Sequence, residues 1–474
     1  MSDKAGPERA VGTSEPSRRP TERRGEASPG VAEPPRGWQR LVWLGPGFLW
    51  MVSAAGSGEL LFTPRVGALY GYALLWALIA AVVLKWFINR EIGRFAVCTG
   101  ATLLDGFKQL PGPRHWALWL ILVPQLLVAV STIAGLAGSA ATALALVLPG
   151  DVRLWMIAAV LASTTLVLWG RYQGVERAAT ALAVALALAA LAAAVSVFPG
   201  PGPIAAGLLP QVPADVNYGE VLPWLGFMLS GAAGMMWYSY WVQAKGYGAA
   251  AVRRPTDQSL RPAELNTEDR GRLRGWLVQM TLDNTVAVVG TLLVTLAFLI
   301  LGTELLRPQG LVPEEERVAE VLGQLLGGVW GPIGFWFMVL GVFIGFWDTV
   351  LSDQDGFGRL FANGTRILLR PLDSTGRFAD EAFWQRVYVV VLVTLLPIAL
   401  YLLMGEPVGL LKLAGAIEAA HIPVVTGLTL YLNHRLLPAD LRPSWPVFAA
   451  TLLAGLFFAI FATVYVIGLV APTG

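Results

Sequence analysis

The sequence predicts an all-α polytopic membrane protein of about eleven spans. Three observations lead to this fold class: the composition, the recurrence of long apolar segments, and the distribution of Lys and Arg among the loops. The 474-residue chain is 55% hydrophobic and only 14% charged, which is too apolar for an ordinary soluble domain. Apolar stretches of roughly 20 residues, the length that crosses about 30 Å of hydrocarbon, recur from Leu41 almost to the C-terminus.

The first 40 residues differ from the rest of the chain. They are rich in Pro, Gly, Ser, Glu and Arg, so they bury too little apolar surface to offset the entropy lost on ordering. We expect residues 1–40 to form a disordered basic tail, and they contain no apolar segment typical of a cleaved signal peptide. Charged and Pro/Gly-rich loops then delimit the apolar stretches. Spans 1 to 11 are predicted near residues 41–64, 68–89, 116–148, 153–170, 176–198, 221–245, 276–301, 328–352, 384–403, 408–433 and 446–470.

Lys and Arg are concentrated in alternate loops. If the tail is cytoplasmic, the loops near 90–115, 246–275 and 353–386 are cytoplasmic too and hold many of the basic residues, whereas 199–220 contains none. This pattern follows the positive-inside rule, and an odd number of spans places the C-terminus outside. The Ala/Arg/Gly-rich composition and the lack of an organelle-targeting segment indicate a bacterial cytoplasmic (inner) membrane.

Two spans contain interruptions at matching positions. Span 1 includes Ala55-Gly56-Ser57-Gly58-Glu59, and span 6 includes Ser230-Gly231-Ala232-Ala233-Gly234-Met235-Met236. Broken helices expose backbone dipoles and carbonyls where they line a solute cavity, although glycine also serves ordinary helix packing. Because each break lies in the first helix of a five-span half, we predict two inverted repeats, 41–198 and 221–433, followed by an extra helix, 446–470.

Several short motifs stand near the predicted breaks and loops: Gly45-Pro46-Gly47-Phe48-Leu49, Gly71-Tyr72-Ala73-Leu74-Leu75-Trp76, Gly170-Arg171-Tyr172, and Gly231-Ala232 followed by Met235. Together these motifs resemble the Nramp family of metal-ion transporters. The resemblance covers roughly residues 41–435. It implies a LeuT-type fold of five plus five inverted spans with an eleventh helix, spans 1 and 6 broken, and secondary transport of divalent cations of the Mn²⁺ or Mg²⁺ type by alternating access, with no cofactor.

The chain departs from the family pattern at both breaks. Family members with metal activity carry Asp-Pro-Gly-Asn at the first break, where this chain has Gly56, Ser57, Gly58 and Glu59. The Met-Pro-His pattern of the second break corresponds here to Met235, Met236 and Trp237, and span 3 lacks the family's usual acidic residues. Glu59 still offers a hard oxygen ligand. The metal ligands that the resemblance implies are therefore Glu59, Met235 and the carbonyls of Gly56 and Ala232.

Four further ionisable residues lie inside or near the ends of predicted spans, where charges are costly and mark an ion pathway or a buried pair. They are Asp283 in span 7, Asp348 in span 8, and Glu418 and His421 in span 10. The last two are spaced i,i+3 and share one helical face, and histidine titrates near neutral pH. We expect these four residues to form a proton or ion pathway, with structural burial as the alternative.

Aromatic residues after the second break leave a second substrate class open. Trp237 and Tyr240 offer contact area and cation–π attraction, so a small organic solute such as an amino acid or amine is the alternative to a metal ion; packing inside the bundle also accounts for such rings. The predicted substrate-binding residues are Gly56, Ser57, Gly58, Glu59, Ala232, Met235, Met236, Trp237 and Tyr240.

Motifs of catalysis are missing from the sequence. It has no P-loop, no His/Cys zinc cluster and no nucleophile elbow, so we expect a transporter that is driven by a gradient and not an enzyme. The net charge of +2 is too small to indicate a nucleic-acid partner. The expected partners are the lipid bilayer and the transported ion or small solute.

Overall fold

The computed structural model describes residues 30–47, 56–170, 173–252, 260–369 and 380–470. All the regular secondary structure in these ranges is helical, with no strand, as the sequence predicts. Eight of the described helices are long and apolar enough to cross a membrane: Trp116–Val147, Val152–Trp169, Arg177–Ser196, Thr267–Gln309, Glu315–Leu369, Glu381–Met404, Pro407–Leu436 and Trp445–Gly468. The other three predicted spans are 1 and 6, which are short or interrupted, and 2, which carries several charges.

Spans 1 to 5 form the first half of the chain. Span 1 is a π-helical turn, Ser57–Phe62, that continues as the α-helix Thr63–Tyr70, while residues 48–55, which include Ala55 of the predicted break, lie outside the described part. Gly71 ends this helix with a φ of 61°, a conformation that glycine adopts without strain. The remaining spans are Leu75–Thr99, Trp116–Val147, Val152–Trp169 and Gln173–Ser196.

The first two spans extend further than predicted. Span 1 reaches Tyr70 and span 2 reaches Thr99, because the charges that suggested loops are paired inside the bundle. Arg65 pairs with Glu220, and Arg94 pairs with Glu91. A charge with a buried partner does not need to end a helix.

Spans 6 to 11 form the second half. Span 6 consists of half-helix 6a, Tyr218–Phe227, and half-helix 6b, Ala232–Lys245. Span 8 bends at Gly331, which has a φ of 62°, and span 9 contains a π-helical turn, Val391–Leu395. The other helices are Thr267–Leu301 with the π-helical Gly302–Leu306, Val318–Leu369, Glu381–Val390 with Leu396–Met404, Pro407–Leu436 and Trp445–Val470.

Short polar side chains set the start of several helices. Asp151 accepts the Leu154 N–H at the start of span 4, Asn217 accepts the Gly219 N–H before half-helix 6a, and Asn266 accepts the Asp269 N–H before span 7. Each satisfies a backbone donor that the helix cannot satisfy by itself.

The break in span 6 covers residues 228–231 and is conformationally strained. Leu229 and Ser230 have φ values of 64° and 131°, which non-glycine residues adopt at a cost of about 1–3 kcal/mol each when the surrounding structure enforces it. The break lies slightly before the predicted segment, since Ala232, Gly234, Met235 and Met236 are helical.

The end of the predicted tail is packed rather than disordered. Residues 1–29 lie outside the described part, but Val31 is buried and its N–H donates to Asp269 of span 7 at 2.9 Å. In span 7, Trp276 and Arg272 donate to the carbonyls of Ala32 and Val31. The backbone hydrogen-bonding groups of this segment thus have side-chain partners in span 7. The composition of the tail does not reveal these partners, because they come from a distant part of the chain.

The spans pack around spans 3 and 2 in the core of the bundle, and apolar side chains cover its outside. Span 3 packs mainly against spans 8 and 10, and span 2 packs against span 7 and half-helix 6b. Many large apolar side chains on the outward faces remain exposed, including Trp119, Leu127, Leu188, Leu403 and Ile460. An apolar exterior around a core that contains charges is typical of an integral membrane protein.

Candidate functional site

The two breaks contact each other through their backbones. A Cβ atom on Gly58 would lie 2.9 Å from the Met228 Cα and N atoms, so only glycine permits this approach. The Gly58 carbonyl accepts the Thr63 hydroxyl at 2.9 Å, and Trp224 of half-helix 6a donates to the same hydroxyl at 3.0 Å. Spans 1 and 6 are therefore joined where each departs from regular helix.

Lys85 of span 2 lies at the C-terminal end of half-helix 6a. Its Nζ donates to the carbonyl oxygens of Gly226, Met228 and Ser230 at 2.8, 2.6 and 2.7 Å. The last carbonyls of a helix lack intrahelical donors and carry partial negative charge. A buried cation therefore satisfies this half of the break. The long side chain does not reach a membrane surface, as snorkelling would require, because Lys85 is fully buried.

Glu59 of span 1 meets the middle of the break. Its Oε1 accepts the Leu229 N–H at 2.7 Å, while Oε2 is buried without a hydrogen-bond partner among the described residues. Glu59 and Glu418 are the two acidic residues that interact electrostatically with Lys85. One carboxylate oxygen of Glu59 thus stabilises the strained turn, and the other can accept a further hydrogen bond.

Glu418 of span 10 lies at the N-terminal end of half-helix 6b. Its Oε2 accepts the Ala233 N–H and the Gln125 side-chain amide, both at 3.2 Å. The same amide of Gln125, in span 3, lies 3.0 Å from His421 Nδ1. A carboxylate is favourable at a helix N-terminus, and Gln125 links it to the histidine one turn along span 10.

A small polar cavity lies beside this end of half-helix 6b. Its volume is about 40 Å³, which is room for a few water molecules. It contains two acidic side chains, Asp353 of span 8 and Glu418, which are only 6% and 2% exposed. The lining residues are Thr132, Leu136, Phe227, Ser230, Gly231, Ala233, Gly234, Trp237, Thr349, Asp353, Phe357 and Glu418.

Asp353 differs from the other acidic residues of the core. Glu59 accepts a backbone N–H of the break, and Glu418 accepts one at the start of half-helix 6b. Asp353 has no hydrogen bond or ion pair within the described ranges and interacts electrostatically with Glu418. An unpaired carboxylate in a buried position is strongly unfavourable unless a proton or a cation accompanies it. The site is therefore suited to a cation and unsuited to an anion.

One of the nine predicted substrate residues lines this cavity. Trp237 lines it, and a Cβ on Gly56 would lie 2.6 Å from Thr349 Oγ1, close to its rim. The Gly56 carbonyl accepts the Leu60 N–H at 3.0 Å. Met235 and Met236 are buried but do not line the cavity, and Ala232 is the first residue of half-helix 6b. Tyr240 donates a hydrogen bond to Asn363, and Gly58 and Glu59 lie where the backbones of the two breaks meet. The Ser57 side chain lies outside the described part of the structure.

The four predicted pathway residues separate in the same way. Glu418 lines the cavity and His421 connects to it through Gln125. Asp283 instead accepts the Gly45 and Gly47 N–H groups at 2.9 and 2.5 Å, which ties span 7 to the start of span 1. Asp348 is half-buried and does not line the cavity, although its neighbour Thr349 does.

Sequence reasoning left Asp353, Lys85 and Gln125 out of the predicted site. Span 8 was predicted to end at residue 352, which made Asp353 a helix-terminal residue, but the helix continues to Leu369. The i,i+4 spacing of Thr349 and Asp353, which places both oxygens on one face, was the available signal. No cluster of three His, Cys, Asp or Glu residues arranged around a metal occurs in the described residues, so a cation here depends on two carboxylates, hydroxyls and water.

Comparison with known families gives a match over most of the chain. A family described as natural resistance-associated macrophage protein-like matches residues 47–469. Among curated proteins, Metal transporter Nramp6.2 of Populus trichocarpa is 32% identical over 18% of this chain and 16% of its own length, and Divalent metal cation transporter MntH of Chromohalobacter salexigens is 28% identical over 20% and 23%. The chain thus matches about a sixth to a quarter of the length of these relatives. Uncharacterized protein PM0681 of Pasteurella multocida is 24% identical over 72% of this chain and 74% of that protein.

Solved structures agree on the architecture. A mutant of the Eremococcus coleocola manganese transporter superposes with a TM-score of 0.68 at 14% identity, covering 93% of this chain and 91% of the other. MhsT in complex with L-phenylalanine superposes with a TM-score of 0.54 at 16% identity, covering 89% and 98%. These identities establish the fold alone, which is the predicted LeuT-type arrangement with broken spans.

Proposed function

Since this chain belongs to the natural resistance-associated macrophage protein-like family, we propose that it is a secondary transporter that moves divalent metal cations across a membrane by alternating access. The curated relatives named as metal transporters match only part of their length, so the substrate is argued from the site itself. The cations that fit best are hard ions of the Mn²⁺ or Mg²⁺ type, because the carboxylates and hydroxyls that line the cavity are oxygen ligands.

The observation that carries the proposal is the pair of buried carboxylates, Asp353 and Glu418, on one cavity. A divalent cation balances two carboxylate charges. The hydroxyls of Thr132, Ser230 and Thr349 line the same space and supply further oxygen, while Mg²⁺-like ions keep several waters. Charge and donor type therefore agree on one class of substrate.

The metal ion is placed differently from the ligand set that the family resemblance implies. Met235 does not line the cavity, and Glu59 Oε1 accepts the Leu229 N–H. We place the ion between Asp353 and Glu418, with Glu59 holding the backbone of the break.

The cavity size argues against the alternative of an organic solute. A volume of about 40 Å³ is roughly a quarter of the cavity of about 150 Å³ that admits benzene. An ion with one or two waters fits this space, whereas an amino acid does not. Trp237 borders the cavity and packs edge-on against Phe357 at 5.0 Å, which gives its ring a packing role.

The loop charges also define an orientation. We place the N-terminus in the cytoplasm and the C-terminus outside a bacterial inner membrane, because this arrangement puts the Lys- and Arg-rich loops on the cytoplasmic side. The end of the bundle that contains Asp283 and the segment at Val31 is then cytoplasmic. Labelling of single introduced cysteines from either side of a membrane vesicle tests this orientation.

The experiment that tests the function measures Mn²⁺ and Mg²⁺ in two ways, by titration calorimetry of the purified chain and by flux into proteoliposomes. We expect saturable binding by the native chain and at least a tenfold loss in Asp353→Asn and in Glu418→Gln, because each removes a charged ligand from a buried site. The matched control is Asp355→Asn, the same change two residues further along the helix, where Asp355 pairs with Arg359 on an outer face.

Two results would contradict this assignment. Native binding that survives both substitutions would place the metal elsewhere. If the native chain binds neither ion but transports an amine or amino acid, the organic-solute alternative is correct and the metal assignment is wrong.

A further inference from the structure

The side chain of Lys85 enters the break in span 6, where it meets only backbone acceptors among the described residues. The Lys85 Nζ lies within 2.8 Å of three backbone carbonyl oxygens, those of Gly226, Met228 and Ser230. The side chain is fully buried, and the Phe458 ring of span 11 covers it with its centroid 5.3 Å from Nζ. Span 2 therefore delivers a terminal amine into a pocket made by the backbone of span 6.

The hydrogen-bond pattern identifies the charge on this amine. All three partners are carbonyl oxygens, which only accept, and three N–H donors are present only on an ammonium group. The nearby carboxylates of Glu59 and Glu418 interact with it electrostatically. A full positive charge is thus held by three carbonyl dipoles and two acidic side chains, as a buried charge requires.

In other transporters, unwound helices bind free monovalent cations through backbone carbonyl oxygens of this kind. Backbone carbonyls that face inward replace the hydration shell of an ion, and the C-terminal ends of half-helices at the middle of a membrane coordinate Na⁺ in other transporters. The C-terminal end of half-helix 6a has this character here.

We propose that Lys85 is a tethered cation that permanently occupies a monovalent-cation site at the end of half-helix 6a, so that this break requires no dissolved Na⁺ or K⁺. The binding part of this inference stands on the contacts of Lys85 alone. Its consequence for coupling, namely that cation movement does not depend on Na⁺ at this position, rests on the proposed transport function.

The distribution of charge supports the assignment. Lys85 compensates Glu59, which lies at the same turn, and this leaves Asp353 and Glu418 for one divalent ion. Glu59 interacts with Lys85 and does not line the cavity, Asp353 lines the cavity, and Glu418 does both. A mobile Na⁺ in place of Lys85 would make the charge of the break depend on ion occupancy.

The test compares the thermal stability of purified Lys85→Ala and Lys85→Met with that of the native chain in choline chloride, NaCl, KCl and methylammonium chloride. In choline we expect both variants to melt on the order of 5 °C below the native chain, because buried carbonyls and Glu59 lose their cation. NaCl, KCl or methylammonium should restore Lys85→Ala, which leaves an empty pocket. Lys85→Met should not recover, since its side chain fills the same space.

The native chain provides an independent measurement. Its melting temperature should be the same in choline, NaCl and KCl, and its Mn²⁺ flux should not change when choline replaces Na⁺. Failure of all three cations to restore Lys85→Ala, or saturable stabilisation of the native chain by Na⁺ or K⁺, would overturn the proposal. If Lys85→Ala cannot be purified, the native melting series alone decides. The melting series needs no transport, so an absence of Mn²⁺ flux would count against the proposed function and leave this inference intact.

Discussion

At the scale of single residues, the break is held by three charged side chains with separate tasks. Lys85 satisfies the carbonyls that end half-helix 6a, Glu59 accepts the N–H of Leu229, and Glu418 accepts the N–H of Ala233 at the start of half-helix 6b. Each charge has the sign that the local backbone dipole favours. These residues therefore maintain the break, and Glu418 and Asp353 also face the cavity.

Gly58 is the residue where the two breaks approach most closely, and Gly58→Ala should weaken this contact. The added Cβ would lie 2.9 Å from backbone atoms of Phe227 and Met228, which cannot move aside as a flexible side chain can. Overpacking of this kind costs about 1–3 kcal/mol. We expect a lower melting temperature and reduced metal flux.

A matched glycine on a helix serves as control for Gly58→Ala. Gly427 of span 10 is exposed and a Cβ there would have open space, so Gly427→Ala should be neutral or stabilise the chain by up to about 1 kcal/mol. Equal melting temperatures for the two variants would show that the close backbone contact at Gly58 does not restrict the side chain at this position.

At the scale of elements, the strained turn of span 6 separates two half-helices whose ends face different partners. Ser230 has a φ of 131°, which glycine adopts more readily than alanine. Ser230→Gly and Ser230→Ala both remove the hydroxyl from the cavity, but only glycine relieves the backbone. We expect Ser230→Gly to be more stable than Ser230→Ala by about 1 kcal/mol, measured as a difference in melting temperature.

The comparison at Ser230 needs a reference at a regular helical position. Ser163 of span 4 is buried and donates to the carbonyl of Val160; there the same pair of substitutions should give the opposite order, because glycine destabilises a helix interior relative to alanine. The same order at both positions would indicate that the turn at Ser230 carries no strain.

At the scale of the whole molecule, buried carboxylates link the spans at both ends of the bundle. At one end Asp283 of span 7 accepts the N–H groups of Gly45 and Gly47. At the other end Glu220 bonds to Arg65 of span 1 at 2.7 Å and to Lys412 of span 10 at 2.6 Å. These contacts join span 1 to spans 6, 7 and 10, which come from the other half of the chain.

The contact at Glu220 gives a prediction for the stability of the whole chain. Glu220→Gln leaves Arg65, whose side chain is 5% exposed, without its principal carboxylate, and breaking a buried pair typically costs about 3–5 kcal/mol. We expect a clear fall in melting temperature. Glu320→Gln, which breaks the surface pair with Arg317, should cost less than about 1 kcal/mol; equal effects of the two changes would show that the buried link does not hold the spans together.

The sequence by itself determined the fold class, the family and the existence of the two breaks. These features are local or compositional: a span is a run of apolar residues, and a break is a cluster of glycines within such a run. The family match over residues 47–469 confirms the resemblance that the motifs indicated. Hydropathy placed spans 3, 4, 10 and 11 within a few residues of their helices, since their ends carry clear loop signals.

Only the tertiary structure decided which buried charges meet. Asp283 and Asp353 look alike in sequence as acidic residues of apolar helices, but one caps the start of span 1 and the other faces a cavity with Glu418. Lys85 lies close to residue 89, the predicted end of span 2, but the helix continues to Thr99 and keeps this side chain in its interior. The role of a buried charge is set by the groups that neighbouring helices bring to it, and those neighbours come from distant parts of the chain.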